Sequence, residues 1–135
     1  MPNDASWTWL SRSLVEALHA ESLRRFGGTP RLRDEDLLES ALARPRHLER
    51  YDTPTVFDLA AAYAEGLIRN HPFVDGNKRV GLLAARAFLF QNGYNFDPDP
   101  DETISVIESC AAGAVSREEL SDWLAAGSVP RDTTS

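Results

Sequence analysis

Apolar residues recur along this chain at intervals of three and four, the spacing that lays a stripe along a helix, and show no sustained strand-like alternation. From Ser11 to Phe26 the stripe is Leu14, Val15 and Leu18, joined less regularly by Leu23 and Phe26. Ser13 and Glu16 are spaced as a capping box, and Gly27 stands just past the end. His19 lies beside that stripe and reads as a surface histidine, with no His, Cys or carboxylate pair at metal spacing around it. Trp7 and Trp9 precede the helix and should pack an N-terminal arm onto the body. Gly27-Gly28-Thr29-Pro30 reads as a turn, and Asp34 as the cap of a short helix over Glu35 to Ala43 that carries Leu37, Leu38, Ala41 and Leu42 inward. Pro45 reads as its stop. The stretch from Arg44 to Thr53 fits neither period and is expected to be a loop.

Thr53-Pro54 supplies a cap with proline at the first helical position, ahead of Val56, Leu59, Ala60, Tyr63, Leu67 and Ile68 at helical spacing. That helix should end at Asn70 or His71, because Pro72 disfavours helical geometry in the residue before it. Val80 to Phe90 is apolar nearly all round, the mark of a helix buried on most faces, and Gly93 closes it. Tyr94 to Pro100 reads as an irregular link. Ile104, Val106, Ile107, Cys110 and Ala111 then mark a helix over Asp101 to Ala112, and Ser116 with Glu119 opens another through Leu120, Trp123 and Leu124 to Gly127. Residues from Ser128 read as a polar tail. The expectation is an all-α bundle of about six helices forming one domain over residues 1–135.

Length and composition narrow this further. A chain of 135 residues with 42% hydrophobic content can bury a core of its own and leaves no room for a second domain. The net charge of −7 argues against a nucleic-acid surface, whose footprint is basic. Cys110 is the sole cysteine, so no internal disulfide forms, and its place on an apolar stripe suits a buried structural thiol. No apolar run approaches the length of a membrane span, and Met1-Pro2-Asn3-Asp4 has no basic region leading into an apolar core. A cytoplasmic protein is expected.

The chemistry is concentrated in His71-Pro72-Phe73-Val74-Asp75-Gly76-Asn77-Lys78-Arg79, between the two helices of strongest apolar patterning. Gly76 can take a positive φ and admit a ligand close to the backbone, and a new helix should begin near Asn77. Its first amides have no intrahelical partner and sit at the positive end of the helix dipole, where Lys78 and Arg79 add two cations. Such an accumulation of positive charge is unfavourable unless an anion is bound, which points to a phosphate site. A solvated interhelical turn accounts for any one of these residues but poorly for all of them together. Transfer of part of a nucleoside triphosphate to a hydroxyl needs a base, a metal ligand and donors for phosphate charge. His71 is the candidate base, since neutral imidazole accepts a proton near pH 7. Asp75 is the candidate Mg2+ ligand, a single carboxylate that would be joined by phosphate oxygens of ATP. Gly76 and Asn77 would present backbone and side-chain donors, and Lys78 and Arg79 would neutralise the phosphates. Arg69 could also reach a phosphate, or simply end its helix in solvent.

His71 to Arg79 resembles the signature of the Fic/Doc superfamily, and more closely its death-on-curing (Doc) toxins. Gly27-Gly28 before an Arg-Asp turn, the run Leu37 to Pro45, and Asn92-Gly93 share the likeness, which extends from about Leu10 to Ala125. The resemblance implies the helical Fic fold, with the motif at the N-terminus of a buried central helix, and the same roles for His71, Asp75, Gly76, Asn77, Lys78 and Arg79. It also implies that the segment before the pre-motif helix, here Arg44 to Thr53, is a flap that aligns the target polypeptide. Fic enzymes that transfer AMP have a glycine where this chain has Lys78 and an arginine where it has Leu82. Both departures match the Doc branch, for which the family implies ATP bound in reversed orientation and phosphorylation of a threonine of translation elongation factor Tu. Pro72 and Gly76 follow the broader Fic pattern and keep AMP transfer as the alternative enzyme. A non-catalytic, partner-binding Fic-fold protein is a third reading, opposed by the intact set of His71, Asp75, Asn77 and Arg79. Glu65-Gly66 is the only Glu-Gly pair, with Ala61 where an internal inhibitory motif needs Ser or Thr. Restraint is therefore expected from a separate chain, by resemblance a Phd-like antitoxin whose disordered end folds onto the toxin's apolar surface.

Overall fold

A computed structural model describes residues 7–131. Six helices follow one another: α1 (Arg12–Phe26), α2 (Glu35–Tyr51), α3 (Val56–Asn70), α4 (Asn77–Gln91), α5 (Pro100–Ala111) and α6 (Arg117–Ala126). The two that flank the motif form the centre. α3 packs against α2, α4, α5 and α6, and α4 against α1 and α5 as well. Leu59, Tyr63 and Leu67 of α3 meet Val80, Phe88 and Leu89 of α4 in a core closed by Leu38 and Ala41 from α2 and by Leu120 and Leu124 from α6. Truncating a leucine at this depth typically costs about 2–5 kcal/mol, so the core is ample support for a rigid site. Gly81 sets the spacing of the central pair, since a Cβ there would lie 2.6 Å from Cγ1 of Ile68 and 3.1 Å from the carbonyl of Ala64.

Four boundaries differ from the sequence expectation. α1 is capped by Ser11, whose hydroxyl accepts from the Leu14 amide at 3.1 Å, and not by Ser13; Glu16 pairs with Arg12 instead. α2 runs through Pro45 to Tyr51, so the segment expected as a loop is helical over all but its last two residues. Proline loses one ladder bond. Against that loss, the Pro45 ring is fully buried, Arg44 bridges to Glu65 and Asn70 on α3, and the guanidinium of Arg46 lies 4.9 Å over the ring of Trp9. α3 begins two residues later than Thr53-Pro54 suggests, because Thr55 and Asp58 form a reciprocal capping box. Finally, the supposed link and tail contain a small antiparallel sheet, β1 (Tyr94–Phe96) with β2 (Ser128–Pro130), in which Asn95 faces Val129.

Other expectations agree with the structure. Ser116 and Glu119 make the predicted capping box, Cys110 is buried, and Trp7 and Trp9 pack their rings near Phe88. Phe26 does not turn inward; it is 65% exposed. Among the described residues no helix is long and apolar enough to cross a membrane.

Candidate functional site

The motif is a tight turn between the C-terminus of α3 and the N-terminus of α4, and its residues line a cavity of about 350 Å3. His71 adopts a left-handed conformation, φ 57° and ψ 53°, which Pro72 promotes by disfavouring the right-handed helix one residue earlier. A non-glycine residue in this region is uncommon and must be held there. Arg33 holds it: its Nε donates to the His71 carbonyl at 2.7 Å and a terminal nitrogen to the Asn70 carbonyl at 3.0 Å. The amides of Arg33 and Asp34 both donate to the Pro72 carbonyl, and Val74 donates to Arg31. The imidazole of His71 is thereby left exposed at the cavity wall.

Gly76 turns the chain into α4 with φ 80°, and no side chain caps that helix. The cavity therefore meets a bare helix N-terminus, where an anion is favoured. Asp75 is fixed by α1 and the turn after it. One carboxylate oxygen accepts from the Thr29 amide at 2.8 Å, and the Asp75 carbonyl accepts from Nε2 of His19 at 2.7 Å. Among the described residues the second carboxylate oxygen accepts no hydrogen bond. No cluster of three or more His, Cys, Asp or Glu side chains able to hold a metal occurs among the described residues. One free carboxylate oxygen fits Mg2+ that arrives with phosphate oxygens, and does not fit an ion caged by protein alone.

The remaining motif residues differ in how closely the fold engages them. Asn77 is buried, and both ends of its amide are bonded within the turn: Oδ1 accepts from the Phe73 amide at 3.0 Å and Nδ2 donates to the Phe73 carbonyl at 2.9 Å. Its side chain closes the turn. Lys78 is half exposed and pairs with Glu108 of α5, both oxygens at 3.0 Å. Arg79 donates to the Gly27 carbonyl at 3.1 Å and lies 5.2 Å over the ring of Phe26, yet still lines the cavity. Arg69 turns away to Glu65 at 3.7 Å.

Sequence periodicity missed several residues that build this site, Thr29 with its amide on Asp75 among them. His19, read as a surface residue, is buried and stacks on Phe73 with ring centroids 3.7 Å apart. Arg33 and Glu108 lie 38 and 30 positions from their partners, beyond any local pattern.

The family model described as Fic/DOC family matches residues 9–89, well over half of the chain and including the whole motif. The chain belongs to the Fic/DOC family. The helical architecture above is accordingly the Fic fold. Among its Fic/DOC relatives, the chain is 44% identical over 80 residues to "Toxin Doc" of Mycolicibacterium smegmatis, a match covering 56% of this chain and 60% of that protein's length. It is 32% identical over 109 residues to "Protein kinase doc" of Escherichia phage P1, covering 80% of this chain and 86% of that protein. Among solved structures, the N-terminal Fic domain of a VirB-translocated Bep effector from Bartonella quintana, solved with ADP, aligns over 73% of this chain and 49% of that one. Its TM-score is 0.49 at 20% identity.

Proposed function

We propose that this protein is a Doc-type toxin that transfers the terminal phosphate of ATP to a serine or threonine hydroxyl of a protein target. The observation that carries the reading is Lys78, exposed on the first turn of α4 at the mouth of the cavity, with Leu82 one turn beyond. In the resemblance drawn above, AMP-transferring enzymes have glycine and arginine at these two places. The Lys78–Glu108 pair does not lock the lysine. Pairs this exposed contribute about 0.2–1 kcal/mol, less than a charge-assisted contact to phosphate. The kinase name of the phage P1 relative and the toxin name of the mycobacterial one support the same reading.

In this reading His71 removes the proton from the target hydroxyl as its oxygen attacks the γ-phosphorus. The bond from that phosphorus to the β–γ bridging oxygen breaks, and ADP leaves. Asp75 holds Mg2+, which supplies charge neutralisation on the phosphates when bound. The free amides at the start of α4, Lys78 and Arg79 stabilise the charge on the transferring group. The target is translation elongation factor Tu, and the reaction takes place in the cytoplasm. A Phd-like antitoxin restrains the enzyme by folding a segment onto apolar surface; Leu82, Ile107 and the 65% exposed Ile104 line a cleft beside the site that offers such a surface.

Two measurements on one variant test the assignment of the base. His71→Ala should lower transfer by about 10²–10⁴-fold while calorimetry shows ATP binding near that of the wild type. Equal transfer rates would remove His71 from the mechanism.

A further inference from the structure

His19 is nominally a helix residue of α1 with no part in the motif, yet it is one of few buried polar side chains among the described residues, at 4% exposure. An apolar ring would fill the same space without the cost of desolvating two nitrogens, so the imidazole is tolerated there because a nitrogen is paired. The pairing is specific. Nε2 lies 2.7 Å from the backbone carbonyl of Asp75, and the ring stacks on Phe73 at 13° between planes. A carbonyl only accepts, so Nε2 must carry the hydrogen. Asp75 is thus gripped at two points, its carbonyl by His19 and one carboxylate oxygen by the Thr29 amide at 2.8 Å.

We propose that His19 is a positioning residue for Asp75: its Nε2–H and its stack on Phe73 fix the backbone of the motif so that the free carboxylate oxygen is presented to a metal–nucleotide. The assignment rests on the transferase reading above. Partners that orient a metal ligand without touching the metal typically change metal affinity by about 10–100-fold. Holding both ends of Asp75 also removes ordering that the ligand would otherwise impose on binding.

The test is binding of Mn2+ together with a non-hydrolysable ATP analogue, followed by electron paramagnetic resonance without turnover. His19→Phe keeps a ring against Phe73 and deletes the donor, and should weaken binding about tenfold. His19→Gln returns an N–H donor and should recover most of that loss. Equal affinity in His19→Phe and wild type overturns the proposal, and so does a His19→Gln as weak as His19→Phe, which would mean that only packing matters. Absence of Mn2+–nucleotide binding by the wild type itself would refute the transferase reading, a result distinct from equal binding by wild type and variant. Should His19→Phe not fold, long-range proton–nitrogen NMR on the wild type decides the contact. A hydrogen on Nε2 is expected, and an unprotonated Nε2 overturns it.

Discussion

Asn77 illustrates how a residue of a catalytic signature can act almost wholly through the fold. Its amide satisfies the amide and the carbonyl of Phe73, which is itself 3% exposed, so neither group has water to turn to. The partners are a backbone donor and a backbone acceptor, which also fixes which end of the amide is oxygen. Asn77→Ala should lower unfolding stability by about 2–4 kcal/mol, since each buried polar group left unpaired costs about 1–3 kcal/mol. Urea denaturation checks this, and a midpoint equal to that of the wild type would show that the clamp is dispensable. Lys78 is the opposite case, a residue held within the chain only by an exposed pair with Glu108 that contributes little.

At the scale of elements, the start of α3 is a junction as well as a cap. Asp58 receives the Thr55 amide at 2.8 Å and the Ser121 hydroxyl of α6 at 2.7 Å, tying α6 to the helix that delivers His71. Burial pushes the Asp58 carboxyl up, but the hydrogen bonds from Thr55 and Ser121, aided by the charge of Arg117, outweigh it and hold the carboxyl below its ordinary value. A group depressed in the folded state contributes stability above its unfolded value, and that contribution is lost as pH falls through the folded one. The stability difference between wild type and Asp58→Asn should therefore be greatest near neutrality and shrink below about pH 4. A difference independent of pH would exclude the carboxylate as its source. This junction also shows what local pattern can convey. Helix existence and the inward faces of α3, α4 and α6 were legible because apolar spacing and capping residues lie within one or two turns of each other. Pro45 misled because its burial and the Arg44 and Arg46 contacts that keep α2 helical come from α3 and Trp9. The sheet of β1 and β2 was hidden for a related reason: three-residue strands pairing across more than thirty positions leave no alternation to detect.

For the molecule as a whole, an acidic chain presents a locally cationic mouth. Net charge is −7, yet the cavity is lined by Lys78 and Arg79 at a bare helix N-terminus, with His71 and Asp75 as the other ionisable groups. The motif itself was legible in full, as nine consecutive residues, whereas the scaffold that shapes it was not: His19, Thr29, Arg33 and Glu108 reach it from α1, the α1–α2 turn and α5. That scaffold and the α3–α4 core hold the start of α4 and the cavity lining in place, as the proposed catalysis by positioning and charge requires. The central claim is that this site moves the terminal phosphate of ATP onto a protein. It is tested most directly by incubating the purified protein with a bacterial lysate and ATP labelled at either the α or the γ phosphate. Label from the γ position alone should appear on a protein of the size of elongation factor Tu; transfer of the α label would contradict the account and establish AMP transfer instead.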